Sequence, residues 1–398
     1  MDNSAGREAL AHIHHLAEDI GPRPPTSEGE RRGADYVAEV LRSLGAEVSV
    51  EEFRAPRSFS YAFGLIYLMG CVAASLGVVL PPAGVAVGAV AVILFLLEVD
   101  TRGSVWRLFS WRPSRNVIGR FNAKAGGGRP RVVLMAHHDT SRSALLFAPG
   151  RVAGFRRAFL LMWLCFLLTP LASSASQLGQ ALENPVMIGL RYLNLLAAVY
   201  LGGSLLVLIH REIWGVDVAG ANDNASGVGV ALEVAQTLAG WNAEAWVVAT
   251  GAEEAGCVGA LNLVERYGEE LQETVFINLD NVGAGRGRYA RAEGMLSRFS
   301  ADPELLSVAE EVARDRPDLG FSGVVNALMS TDAVVLLARG YRALSLRAED
   351  HRGLLPNWHW PTDTYDNIDP DTVSSMVEFS IGLLERLAQD NPEGQPGA

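Results

Sequence analysis

Five short segments of this 398-residue chain carry carboxylates and histidines in unusual settings. MAHHDTS places His137, His138 and Asp139 directly after an apolar run, and GANDNASG holds Asp223. GAEEAG pairs Glu253 with Glu254, NLDNVG holds Asp280, and NWHWPTDT holds His359. Carboxylates brought close together repel and raise one another's pKa unless a cation separates them. A divalent metal is the simplest solution. Two histidines and three carboxylates, one of them shared, suffice for two metals about 3.5–4 Å apart. Mixed imidazole and carboxylate ligands suit zinc, and manganese or cobalt would also fit.

Each segment has an ordinary reading as well. A Glu-Glu pair is usually solvated surface. Asp223 could be a helix N-cap, Asp280 could open an Asx turn, and His359 could pack between its two tryptophans. His-His-Asp could simply cap a loop. These readings weaken together, because all five segments would have to coincide by chance. His12, His14, His15 and His351 have no such context and read as surface.

The elements that must position these residues follow from periodicity. Ser27 and Glu30 form a capping-box pattern before an apolar helical face at Tyr36, Val37, Val40, Leu41 and Leu44, with Gly45 as the stop. Val48, Val50 and Phe53 read as a half-buried strand. Residues 114–121 and 131–136 read as strands joined through Gly126–Gly128. Beyond Gly215, strands at 245–250, 274–279 and 343–346 alternate with helices at 228–238, 304–314, 332–338 and 372–387. Such alternation predicts an α/β fold: a central, mostly parallel mixed sheet flanked by helices. In that architecture the loops at the carboxyl ends of the strands converge on one crevice, and Asp139, Glu253, Glu254 and Asp280 all fall at such ends.

Two apolar blocks interrupt this pattern. Residues 58–97 carry no charge and are split by Pro81, Pro82 and Gly84. Residues 158–182 are also uncharged; a polar connector with Ser173, Ser174, Gln177 and Glu183 leads to Pro185. Residues 186–209 are then apolar apart from Arg191. A membrane-spanning helix needs about 20 apolar residues, so each block reads as a transmembrane hairpin. The expected organisation is a discontinuous catalytic domain (1–56, 113–150 and 215–390), hairpins at 57–112 and 151–214, and a disordered tail at 391–398. Arg54, Arg57, Arg102, Arg107, Arg112 and Arg115 flank the first hairpin, and Arg151, Arg156, Arg157 and Arg211 the second. By the positive-inside rule, these flanks put the catalytic domain of a multi-pass membrane protein in the cytoplasm.

Composition agrees with this division. The hydrophobic share is 49% and the charged share 20%, with a mean hydropathy of +0.16. The formal net charge of -12 argues against a nucleic-acid partner. Three scattered cysteines do not form a disulfide framework. The polar N-terminus shows no signal-peptide pattern.

The motifs in this order (His-x-Asp, Gly-Ala-x-Asp-Asn-x-Ser-Gly, Gly-Ala-Glu-Glu, Asn-Leu-Asp, His-x-Pro-x-Asp-Thr) resemble the two-zinc aminopeptidase family. That family includes bacterial leucyl aminopeptidases, glutamate carboxypeptidase and membrane-bound relatives of the endoplasmic reticulum. The resemblance covers residues 7–56, 113–150 and 215–388. It implies a zinc-exopeptidase-like fold, a peptide substrate and two zinc ions. His137 and Asp280 would bind one ion, Glu254 and His359 the other, and Asp223 would bridge. Asp139 would orient His137, and Glu253 would be the general base for a water held between the metals. Asp332 matches a position near the site. The departure is the long separation of Asp139 from Asp223, which the second hairpin fills. Two rival readings are a glutaminyl cyclase-like acyltransferase with one zinc and a catalytically inactive membrane scaffold.

Overall fold

The structure, a computed structural model, describes residues 5–122, 131–178, 185–241 and 243–389. The loop expected at Gly126–Gly128, residues 179–184 of the expected connector, and the tail 391–398 lie outside the described residues. The chain divides into two compact units: residues 1–58, 110–143 and 216–398 form the first, and residues 59–109 and 144–215 the second.

The first unit is built on nine strands: β1 (Glu47–Ala55), β2 (Arg112–Phe121), β3 (Val132–His137), β4 (Ala245–Thr250), β5 (Val275–Leu279), β6 (Arg286–Glu293), β7 (Phe299–Ser300), β8 (Ser322–Asn326) and β9 (Arg342–Glu349). They form one mixed sheet in the order β1-β2-β4-β3-β5-β9-β6-β7, with β8 paired to β6. β4, β3, β5 and β9 run parallel at its centre. All six residues of β3 and of β4 are buried, as expected for strands covered on both faces. Successive side chains point to opposite faces. Leu134, Val247 and Ile277 therefore join one apolar cluster, while Val133, Trp246 and Phe276 join another.

Helices cover both faces. The unit contains α1 (Arg7–His14) and α2 (Glu28–Ser43) before the first insert. The inserts contribute α3 (Ser60–Val79), α4 (Pro81–Val99), α5 (Phe155–Leu178) and α6 (Pro185–Trp214) to the second unit. The first unit resumes with α7 (Ser226–Leu238), α8 (Val258–Tyr267), α9 (Pro303–Asp315), α10 (Asp332–Leu337) and α11 (Pro370–Gln389). α1, α2, α7, α9 and α11 cover the first face; α8 and α10 cover the other.

The capping box at α2 is only half formed. Ser27 Oγ accepts from the Glu30 amide at 3.1 Å. The Glu30 carboxylate does not return to Ser27. It is 2% exposed and accepts from Thr26 N, Ser114 Oγ and Ala252 N instead.

Both inserts leave and rejoin the first unit at paired residues. Ala55 at the end of β1 pairs with Arg112 at the start of β2. Arg142 pairs with Asp217 across an isolated bridge, and Arg142 Nε donates to Asp217 Oδ1 at 2.8 Å.

Among the described residues of the second unit, four helices are long and apolar enough to cross a membrane. Phe95 of α4 stacks on Phe166 of α5 at 4.8 Å between ring centroids. A Cβ on Gly84 would lie 2.6 Å from the Gly77 Cα, so two glycines let α3 and α4 approach closely where they meet. Asn194 Nδ2 donates to Ser173 Oγ at 3.2 Å, which satisfies a buried amide donor. Leu68, Ile93, Leu161, Leu196 and Val199 face outward.

Candidate metal centre

The carboxyl ends of three parallel strands supply the site. His137 is the last residue of β3, the Glu253-Glu254 pair follows β4, and Asp280 follows β5. Asp223 precedes α7, joined to Asn224 by a cis peptide bond, and His359 lies in the loop between β9 and α11.

These side chains converge. His137 Nε2 lies 3.2 Å from Asp223 Oδ1 and 3.8 Å from Asp280 Oδ1. His359 Nε2 lies 3.1 Å from Asp223 Oδ2 and 3.0 Å from Glu254 Oε1. Two groups result, His137 with Asp223 and Asp280, and Asp223 with Glu254 and His359; the ligand atoms of each lie within 4.8 Å of one another. All five residues are buried. Asp280 Oδ2 accepts no hydrogen bond from the described residues, and Asp223 Oδ2 and Glu254 Oε1 meet the His359 ring nitrogen but no backbone or hydroxyl donor among them. Buried charged oxygens left this way are costly, and they have the chemistry of divalent-cation donors. The residues present therefore fit zinc.

The electrostatics are those of crowded charge. Burial alone would lower the His359 pKa, but Glu254 and then Asp223 outweigh it and raise it to about 9. His137 is also raised against the effect of burial, mainly by Glu253, Asp139, Asp223 and Asp280. Burial pushes the half-buried Glu253 well above the usual carboxylate range; Glu254, Asp332 and Asp280 reinforce the shift and His137 opposes it.

A layer of buried groups holds the loops through the backbone. Asp139 accepts from the Glu253 and Glu254 amides at 3.1 and 3.0 Å. Its carboxylate lies 3.6 Å from His137 Nδ1, which is closer, at 3.2 Å, to the Asp139 carbonyl. Asp363 accepts from the Asn222 and Asp223 amides at 2.6 and 3.1 Å. Asn224 bonds Leu279 O, Gly227 N and Asn281 N, which ties the Asp223 loop to the end of β5. Arg23, fully buried, donates to the carbonyls of Leu16, Gly21, His138, Ala219 and Gly220. His138 is not in either group. It packs beside Gly33, and burial lowers its pKa to about 4.

From sequence, Arg23 and Asp363 carry no role of their own, and Glu30 reads only as the capping-box partner of Ser27. The Pro-Arg-Pro-Pro run and the Asp-Thr after His359 were visible, but their partners lie more than 100 positions away.

The fold matches that of zinc exopeptidases. A zinc aminopeptidase from Bacillus subtilis superposes with a TM-score of 0.56 at 15% identity, covering 96% of this chain and 95% of that one. Glutaminyl cyclase from Porphyromonas gingivalis gives 0.55 at 17% identity, covering 97% and 99%. The model of peptidase family M28 matches residues 203–384. Over that stretch, a little under half of its length, the chain is similar to the peptidases of this family. It is also 40% identical over 109 residues to the alkaline phosphatase isozyme conversion protein of Escherichia coli K12. That match spans 26% of this chain and 29% of the curated relative.

Proposed function

We propose that this protein is a membrane-anchored, two-zinc aminopeptidase. His137, Asp223 and Asp280 would hold one ion, and Asp223, Glu254 and His359 the other. The observation that carries this reading is Asp223, whose two oxygens face different histidines, Oδ1 towards His137 and Oδ2 towards His359. A single-zinc site would need no such shared carboxylate. Zinc held there would supply Lewis-acid polarisation of a peptide carbonyl and acidify a water.

The chain supplies the proton chemistry. Glu253 is the half-buried acid beside the two ligand groups, and its proton affinity is raised. It would accept a proton from the attacking water and return it to the leaving amine. Asp139 holds the Glu253 amide and so fixes where that carboxylate starts. The four apolar helices support anchoring in a lipid bilayer, and the arginines flanking them support a cytoplasmic peptidase unit.

Elemental analysis of the detergent-purified chain tests the site. About two zinc per chain are expected. Asp223→Ala should lose both, His359→Ala one, and Glu253→Gln neither, while Glu253→Gln should lower kcat on aminoacyl amides by about 10²–10⁴. One zinc per chain, with turnover of an N-terminal glutaminyl peptide to its cyclic product, would favour the cyclase reading that the second structural neighbour suggests. No zinc after supplementation would leave a membrane scaffold.

A further inference from the structure

We propose that Glu253, Cys257 and Asp332 form a third, weaker zinc site, and that zinc bound there takes the general base out of action. The inference rests on the peptidase reading, in which Glu253 moves the proton. None of the three is among the five proposed ligands of the two catalytic ions.

The geometry brings together one sulfur and two carboxylates. Cys257 Sγ lies 3.2 Å from Glu253 Oε1. One ligand atom from each residue lies within 4.8 Å of the others. Cys257 is 3% exposed and Asp332 1%. Asp332 Oδ2 takes the Thr250 hydroxyl, but its buried Oδ1 accepts no hydrogen bond from the described residues. The backbone fixes the arrangement. The Cys257 amide donates to the Glu253 carbonyl at 2.7 Å, which folds the turn back on itself, and Cys257 sits in the left-handed region at φ 55. Asp332 opens α10 behind it.

A thiolate with two carboxylates selects zinc or cadmium over magnesium or calcium. Three protein ligands leave a fourth position for water. Binding releases the thiol proton to solvent, since a coordinated thiol is deprotonated. The half-buried Glu253 provides an entry path for the ion. A Glu253 carboxylate engaged by a cation has lost its proton affinity, so activity should rise through two equivalents of zinc and fall with the next.

The test uses the full chain in detergent, stripped and reloaded with two equivalents of zinc, with activity read first. Cobalt(II) is then titrated in, and zinc in a parallel sample. The expected result is a further equivalent bound, a thiolate-to-cobalt charge-transfer absorption, and at least a tenfold loss of activity in excess zinc. Cys257→Ser should show neither the absorption nor the inhibition, while a variant with both Cys71→Ala and Cys165→Ala should keep both. Absence of the absorption in the wild type, or equal inhibition of Cys257→Ser, would overturn the inference. Inactivity at two equivalents would instead sink the peptidase reading, and the absorption would still report whether this site exists.

Discussion

At the residue scale, the proposed ligand role of His359 carries a pH signature. His359 in the metal-free chain has its pKa raised to about 9 by Glu254 and Asp223, against the opposing effect of burial. A histidine with a raised folded-state pKa contributes stability that is fully present below its ordinary value, near 6.5, and is lost as pH rises through about 9. The metal-free protein should therefore lose thermal stability between pH 6.5 and 9. Zinc held by His359 as proposed would displace its proton, so zinc affinity should rise across the same window. Melting curves of chelator-treated and zinc-loaded protein across this range check both. Parallel pH trends in the two forms would contradict the assignment of His359 as a ligand.

At the element scale, the site is held less by its own side chains than by buried groups that grip backbone. Arg23 stays charged at neutral pH even though burial lowers its pKa to about 10, and it closes five carbonyls from three segments of chain. Arg23→Leu would leave those carbonyls without their donor. We expect a loss of at least ~3 kcal/mol, by analogy with broken buried ion pairs, measured as a shift in the denaturation midpoint; a loss under ~1 kcal/mol would refute this account.

The same layer explains what could be read from sequence. Three of the strands after Gly215 (β4, β5 and β9) and the five motifs were legible, because continuous apolar runs and strand-end placement are local signals. The real β9 runs from Arg342 to Glu349, longer than the apolar core 343–346, because its last turns of sequence bury charged residues such as Arg347 and Glu349. Strand β6, RGRYARAE, was not anticipated, since its charges mask the alternation. Glu30 looked like a helix cap because Ser27 is one. Its burial against Ala252 is a contact across 222 positions that no local pattern encodes.

At the scale of the whole molecule, the apolar inserts are confined to two excursions whose ends meet at Ala55–Arg112 and Arg142–Asp217. Replacing residues 59–109 and 144–215 each with a short Gly-Ser linker should therefore leave a first unit that folds without detergent. Retained zinc with the wild-type stoichiometry, measured on that variant, is the expected outcome. Aggregation, or loss of zinc despite a folded far-ultraviolet spectrum, would show that the inserts support the site itself.

The paired ends of the inserts also bear on how the sheet assembles. β1 and β2 are neighbours in space, yet residues 56–111 come between them in the chain. In a flexible loop, each doubling of length adds about 0.6 kcal/mol of closure entropy, so an excursion of this size would cost roughly 2 kcal/mol more than a tight turn. If residues 59–109 form a membrane hairpin, as proposed, two helices settled in lipid before the strands meet are no longer such a loop. Such a hairpin returns the chain to the side from which it left, and much of the search for the β1–β2 register is over before pairing begins. On that reading synthesis order matters: the β1–β2 edge of the sheet should close faster once the first hairpin has been inserted, and a block in membrane insertion should slow β1–β2 pairing rather than the rest of the sheet.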